Sequence, residues 1–269
     1  MSRASVVVFP FDLFGNAGTG AGAQLLGDAL REAVDDTADE PTPTRPHAYA
    51  DRLDFAEFAF DTLDEVANWR ETGRAAAREA LGGAFTLWLA GNHLGVLPVY
   101  EELSAGDLVV HFDAHLDCYA LHDTTAALSH GNWLRHAESL PRVVNVGHRD
   151  LFLRPADVKP YFAAAHPAEA VALDLPRVVA DIRKRCAKAK RVWIDLDADA
   201  IDPAFAPAVH QPMPFGLTPA QFLTLLEAAW SNKVVGVSVS EFDPGRDVRD
   251  TTLNLLGWLT ERLLLKWCE

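Results

Sequence analysis

Apolar positions along the chain follow two alternating rhythms. Short, nearly continuous runs rich in valine fall at 5–9, 85–90, 108–113, 142–146, 191–196 and 233–239. Such runs fit strands buried on both faces. Between most of them, helical spacing appears at about 20–34, 64–80, 131–139, 174–188 and 218–231, with a last stretch at 251–267. The start near 218 is the best marked: Gly216-Leu217 reads as a turn, Thr218 as a cap, and Pro219 suits a first helical position. This alternation predicts an α/β fold, a three-layer αβα domain with a mostly parallel central sheet. Residues 35–47 (Asp-Asp-Thr-Ala-Asp-Glu-Pro-Thr-Pro-Thr-Arg-Pro-His) lack core-forming side chains and are expected to form a surface loop. No repeat or low-complexity tract divides the chain, so residues 1–269 are expected to form a single domain.

Composition narrows the picture. With 269 residues, 49% of them hydrophobic, the chain can bury one large core. No apolar run approaches the roughly 20 residues a membrane span needs. The opening run is broken by Pro10 and Asp12 and reads as a first strand, not an export signal. Three cysteines (Cys118, Cys186, Cys268) make no disulfide framework, so a cytoplasmic location is expected. The net charge of −14 argues against nucleic-acid binding and favours a cationic partner or substrate.

Candidate chemistry gathers where the apolar runs end. After Leu108-Val109-Val110, the segment His111-Phe-Asp-Ala-His-Leu-Asp117 carries Asp113, His115 and Asp117. If the strand continued through them, period-two alternation would turn all three to one side. Two carboxylates flanking an imidazole suit a hard-to-borderline divalent ion such as Mn²⁺ or Zn²⁺. A second cluster, Asp195, Asp197 and Asp199, alternates along the end of another run. Burying three carboxylates together without cations is prohibitively expensive, so Asp197 and Asp199 call for metal. Asp202 suits a brace for the turn that follows. His93, in Gly91-Asn92-His93, stands at the rim where α/β sheets place their sites. His130, before Gly131, has the side chain best matched to proton transfer near neutrality. Glu241 closes the run Val237-Ser-Val-Ser, as a structural anion or as a receptor for a cationic substrate. Trp193 and Phe112 are expected in the core, and Cys118 is expected to be a small core residue. His148-Arg149-Asp150 would line the rim or form a surface ion pair.

Taken together, these segments resemble the ureohydrolase superfamily of arginases, agmatinases and their relatives. Gly91-Asn92-His93 is similar to its Gly-Asp/Asn-His element, and Asp113-Ala-His-Leu-Asp117 to Asp-Ala-His-x-Asp. Asp197-Ala-Asp-Ala-Ile-Asp-Pro203 is similar to Asp-x-Asp-x-x-Asp-Pro, and Glu241-Phe-Asp-Pro244 resembles Glu-x-Asn-Pro. The glycine-rich segment Gly15–Gly22 also fits the family's start. The resemblance implies an arginase-like fold and two Mn²⁺ ions. It assigns His93, Asp113, Asp117 and Asp197 to one ion, and Asp113, His115, Asp197 and Asp199 to the other. His130 then matches the proton-relaying histidine and Glu241 the carboxylate that orients a guanidinium. Asp195 stands where the family often has serine and is expected behind the ligands. The implied reaction is metal-assisted hydrolysis to urea and a primary amine.

Two positions depart from the pattern. Relatives acting on free arginine hold its amino-acid end with an asparagine and a serine, where this chain has Tyr119 and Ala126. The expected substrate is therefore a guanidino compound without a free α-carboxylate. Arginine within a precursor peptide is favoured, because His93-Leu-Gly-Val-Leu-Pro98 resembles a compact branch that includes peptide arginases. Agmatine is the alternative, and a non-catalytic metal-binding scaffold is a third. His148 and Asp195 are further candidates for substrate contact. A homo-oligomer is compatible with the terminal amphipathic pattern at 255–267.

Overall fold

A computed structural model of the chain describes residues 2–122 and 125–269. Its strands are β1 (Ala4–Phe9), β2 (Leu53–Glu57), β3 (Phe85–Ala90), β4 (Leu108–Phe112), β5 (Arg142–His148), β6 (Ala164–Pro167), β7 (Val192–Asp197) and β8 (Val234–Ser240). They form one sheet in the order β2-β1-β3-β8-β7-β4-β5-β6, with every paired neighbour parallel. The helices are α1 (Thr19–Asp39), α2 (Leu63–Ala67), α3 (Trp69–Ala80), α4 (Leu97–Glu102), α5 (Pro155–Val158), α6 (Ala168–Lys188), α7 (Pro219–Ala229) and α8 (Thr251–Cys268).

Period-two alternation sorts the core into two layers. Val6, Leu87, Val110 and Ile194 pack with α1, α6, α7 and α8 through residues such as Leu26, Ile182, Leu225 and Leu256. Val7, Trp88, Val109 and Trp193 pack on the other face with α3 and α4 through Ala77, Val99 and Tyr100. Trp193, Phe112 and Cys118 are buried, as expected. Thr218 accepts from the Gln221 N–H and Gln221 returns a bond to the cap, so α7 starts where the sequence placed it.

Several expectations fail for identifiable reasons. Helix α1 runs through Asp39 into the supposed loop 35–47, because its buried Thr37 extends the inner face by one turn. The expected helix at 131–139 is only a tight turn at Trp133–Arg135. There the Asn132 side chain donates to the Thr125 and Ala127 carbonyls and accepts from Ser129, which competes with helix formation. The stretch 64–80 breaks at Asn68 into α2 and α3. Helix α6 starts six residues before the predicted 174, across a kink at Asp174 just ahead of Pro176.

Candidate metal centre and active-site cleft

The four adjacent central strands, β3, β8, β7 and β4, each deliver site residues just past their C-terminal ends. Gly91 is required after β3, since a Cβ there would lie 2.4 Å from the Phe11 carbonyl oxygen. β4 stops at Phe112, so Asp113, His115 and Asp117 do not converge by strand alternation as expected. They lie on an irregular segment instead. Asp117 is turned inward by a left-handed backbone, φ 41°, and its carboxylate accepts from the Trp133 indole N–H at 2.7 Å. Asp197 ends β7, and Asp199 sits in the short turn that follows, its N–H donating to the Asp197 carboxylate at 2.9 Å.

The convergence is close. His93 Nδ1 lies 3.3 Å from Asp113 Oδ2, 3.2 Å from Asp117 Oδ2 and 3.2 Å from Asp197 Oδ2. Yet this buried nitrogen makes no hydrogen bond. One imidazole nitrogen facing three carboxylate oxygens without an aligned bond is a donor set that fits a divalent cation. Beside it, His115 Nδ1 lies 2.9 Å from Asp199 Oδ2 and 3.7 Å from Asp113 Oδ1. Asp113 therefore stands between two donor groups. Its carboxylate is pushed up by burial, but hydrogen bonds from His111 and its other imidazole neighbours hold it well below the ordinary range. Asp197 goes the other way, raised well above its usual value by burial and by Asp199 and Asp113. Burial depresses the His115 imidazole, but Asp199 and Asp113 outweigh this and push it up to about 12. Such opposed shifts mark carboxylates crowded together, a grouping that suits a cation.

Behind these residues lies a buried hydrogen-bond chain. Asp195 Oδ2 sits 3.0 Å from His93 Nε2 and accepts from the Tyr100 hydroxyl at 2.7 Å, while its Oδ1 accepts from Ser238 at 2.5 Å. Tyr100 also lies 3.1 Å from His111 Nδ1, and His111 Nε2 is 2.8 Å from Asp113 Oδ2. His111 falls within a metal-competent group with His93 and Asp113, but both of its nitrogens are already engaged. It therefore orients Asp113, as Asp195 orients His93. Tyr100, His111 and Ser238 escaped sequence reasoning because they sit inside apolar strand or helix patterns.

Glu241 also adopts a left-handed backbone, φ 64°. Its N–H donates to the Gly91 carbonyl at 2.8 Å. One carboxylate oxygen accepts from the His93 N–H at 2.9 Å and the other from Asn16 at 2.7 Å. His130 Nδ1 stands 3.6 Å from the first of these oxygens. Burial pushes the Glu241 carboxyl up, but His130, Asn16 and the His93 amide pull it below its ordinary value. Burial depresses His130, and Glu241 more than reverses this. Asn16 was also missed; only the glycine-rich run around it hinted at a role.

These groups line a cleft of about 540 Å³ that holds His115, Asp117, His130, Asp197, Asp199 and Glu241. Phe14, Tyr119, Asp150, Phe152 and Met213 line it too, and among the described residues no lysine or arginine does. Ala126 lines a smaller adjoining cleft of about 360 Å³, which shares Tyr119. His148 lines neither cleft, and burial depresses its imidazole. Asp202 braces its turn as expected, accepting from the Ala204 and Gly216 amides.

The Arginase family model matches residues 2–265. The chain belongs to the arginase family. It is similar to the guanidinopropionase of Pseudomonas aeruginosa, 31% identical over 185 residues, or 63% of this chain and 57% of that protein. It is also similar to the N(1)-aminopropylagmatine ureohydrolase of Thermus thermophilus, 33% identical over 179 residues, or 63% of this chain and 58% of that one. The first curated family members are matched over only 50% to 59% of their own length. Among solved structures, a hypothetical agmatinase from Burkholderia thailandensis gives a TM-score of 0.79 at 22% identity, covering 99% of this chain and 86% of that one. An arginase from Bacillus subtilis gives 0.79 at 19% identity, covering 97% and 98%. The family's α/β fold, with helices around a single parallel sheet, is thus the fold of this chain. No helix among the described residues is long and apolar enough to cross a membrane.

Proposed function

We propose that this chain is a binuclear metal hydrolase that releases urea from a guanidino group. The observation that carries this reading is the pair of donor groups meeting at Asp113, beside an anchored Glu241. His93, Asp113, Asp117 and Asp197 would hold one ion. Asp113, His115, Asp197 and Asp199 would hold the other, and two Mn²⁺ suit these nitrogen and oxygen donors. When bound, such ions supply Lewis acidity and make hydroxide available from water near neutral pH. Glu241, kept ionised and fixed at both oxygens, presents a planar anion to a planar guanidinium. Water adds at the guanidinium carbon, the bond to the alkyl nitrogen breaks, and that nitrogen leaves as an amine. His130, within 3.6 Å of Glu241, is placed to supply the leaving nitrogen with its proton.

The favoured substrate is arginine within a peptide. Tyr119 and Ala126 replace the polar pair that would hold a free amino-acid end, and among the described residues no lysine or arginine lines the cleft that holds the donor groups, Arg135 lining only the adjoining one. The mouth instead carries exposed Phe14 and Phe152, which suit an extended peptide. A second reading, agmatine or a related amine, is favoured by Asp150 in the cleft, an acid suited to an ammonium tail. The test is a urea-release screen with Mn²⁺ across arginine, agmatine, guanidino acids and arginyl peptides blocked at both ends. Turnover of the blocked peptides above free arginine is expected. Turnover confined to agmatine would transfer the assignment to the second reading, and no urea from any compound at full Mn²⁺ occupancy would leave a scaffold.

A further inference from the structure

Arg149 follows β5, a strand that contributes no residue to either donor group. Its side chain is half-buried, yet among the described residues it forms no ion pair. Four of its five N–H donors point at backbone carbonyls instead. Nη1 donates to Gly147 at 3.0 Å and Ala200 at 3.2 Å, and Nη2 donates to Asp199 at 2.7 Å and Met213 at 2.9 Å. Its own N–H donates to the Ala114 carbonyl at 2.8 Å. One residue thus ties together the strand end at 147, the segment carrying Asp113 and His115, the turn carrying Asp199, and the stretch around Met213. Burying a guanidinium without a carboxylate partner is costly, so this placement calls for a positional reason. Of the stretch 148–150, Asp150 lines the cleft, whereas Arg149 neither lines it nor forms an ion pair among the described residues.

The two ends of this tie face different tasks. Asp199 turns its carboxylate towards His115, while its carbonyl is held by Arg149. Met213 and Gln211 line the cleft. We infer that Arg149 is a positioning residue that couples the second metal position, through Asp199, to the substrate-facing segment 211–216. This rests on the proposed role of Asp199 as a metal ligand. Lysine cannot substitute, because a single ammonium cannot reach four carbonyls spread around a planar fork.

The test reads metal binding, not turnover. Mn²⁺ is titrated calorimetrically into the parent, Arg149→Lys and Arg149→Met, with electron paramagnetic resonance following the spin-coupled ion pair. The parent is expected to bind two ions. Arg149→Lys should keep the first and bind the second about tenfold more weakly, the scale of a lost outer-shell contact. In the unaltered protein, amide exchange across 211–216 should slow when Mn²⁺ is added, although that segment holds no ligand. The inference is overturned if the lysine variant binds both ions like the parent, or if the methionine variant binds the second more tightly, which would mean charge alone matters. Unchanged exchange at 211–216 overturns it too, and needs no variant to fold. If the parent binds no Mn²⁺, the functional proposal itself falls; if only the variant arms fail, that proposal stands.

Discussion

The inner wall of the cleft and its mouth are built on opposite terms. The inner wall sits at the ends of four central parallel strands, where Asp113, Asp197 and Asp199 are buried and each engages a backbone N–H. The mouth is made of connecting segments, with Phe14 53% and Phe152 73% exposed. Side chains on the wall have almost no freedom, while those at the mouth touch little besides whatever enters. On the proposed function, the reaction type is written into the buried end of the sheet and substrate choice into the exposed mouth.

The sharpest way to break this division is Asp197→Asn. It should weaken Mn²⁺ binding by at least about 100-fold and abolish urea release from every substrate alike. Calorimetry and a urea assay read both, and retained activity would mean the wall is as permissive as the mouth. Phe152→Ala should do something narrower. Losing part of an apolar contact raises KM for a blocked arginyl peptide by about tenfold, with agmatine turnover and Mn²⁺ affinity unchanged. If both substrates shift together, the mouth is not a selector.

The smallest effect lies away from the cleft. Asp107 accepts from Arg191 at 2.7 Å and from the Ser104 amide at 2.8 Å, joining the start of β4 to that of β7. Burial pushes its carboxyl up, but these partners bring it below its ordinary value. A depressed folded value means the stabilisation is complete above the ordinary carboxylate range and fades as pH falls through the folded value. Asp107→Asn should thus cost about 1 kcal/mol at pH 7 and less near pH 3, measured by urea denaturation. An equal loss at both pH values would sink this account, and a changed peptide-to-agmatine preference would blur the wall and mouth.

The same contrast governs what the sequence could tell. β3, β4, β7 and β8 are legible as continuous apolar runs because both of their faces are covered. The edge strands β2 and β6 are not: Leu53-Asp-Phe-Ala-Glu57 buries only Leu53 fully, so its pattern is that of a polar loop. The donor residues stand out because carboxylates cluster where apolar runs end. Strand alternation predicts Asp117 on the inward side, but β4 ends before it and a left-handed bend brings it there. Tyr100 carries no local signal, Asn16 only the glycine-rich run around it, and Arg149 nothing beyond its place after an apolar run. Asp195 lies 95 residues from Tyr100, Glu241 lies 225 from Asn16, and Asp199 and Met213 lie 50 and 64 from Arg149, and only the folded sheet brings them together.

The left-handed backbones at Asp117 and Glu241 carry a consequence for the protein's future. Each costs about 1–2 kcal/mol for a residue with a side chain, which glycine would spare. Yet each carboxylate accepts from buried donors, the Trp133 indole at Asp117 and the His93 N–H and Asn16 at Glu241, and a buried donor left unpaired costs about 1–3 kcal/mol. In a laboratory lineage selected only for heat resistance, neither codon should drift towards glycine, because the scaffold itself leans on these side chains.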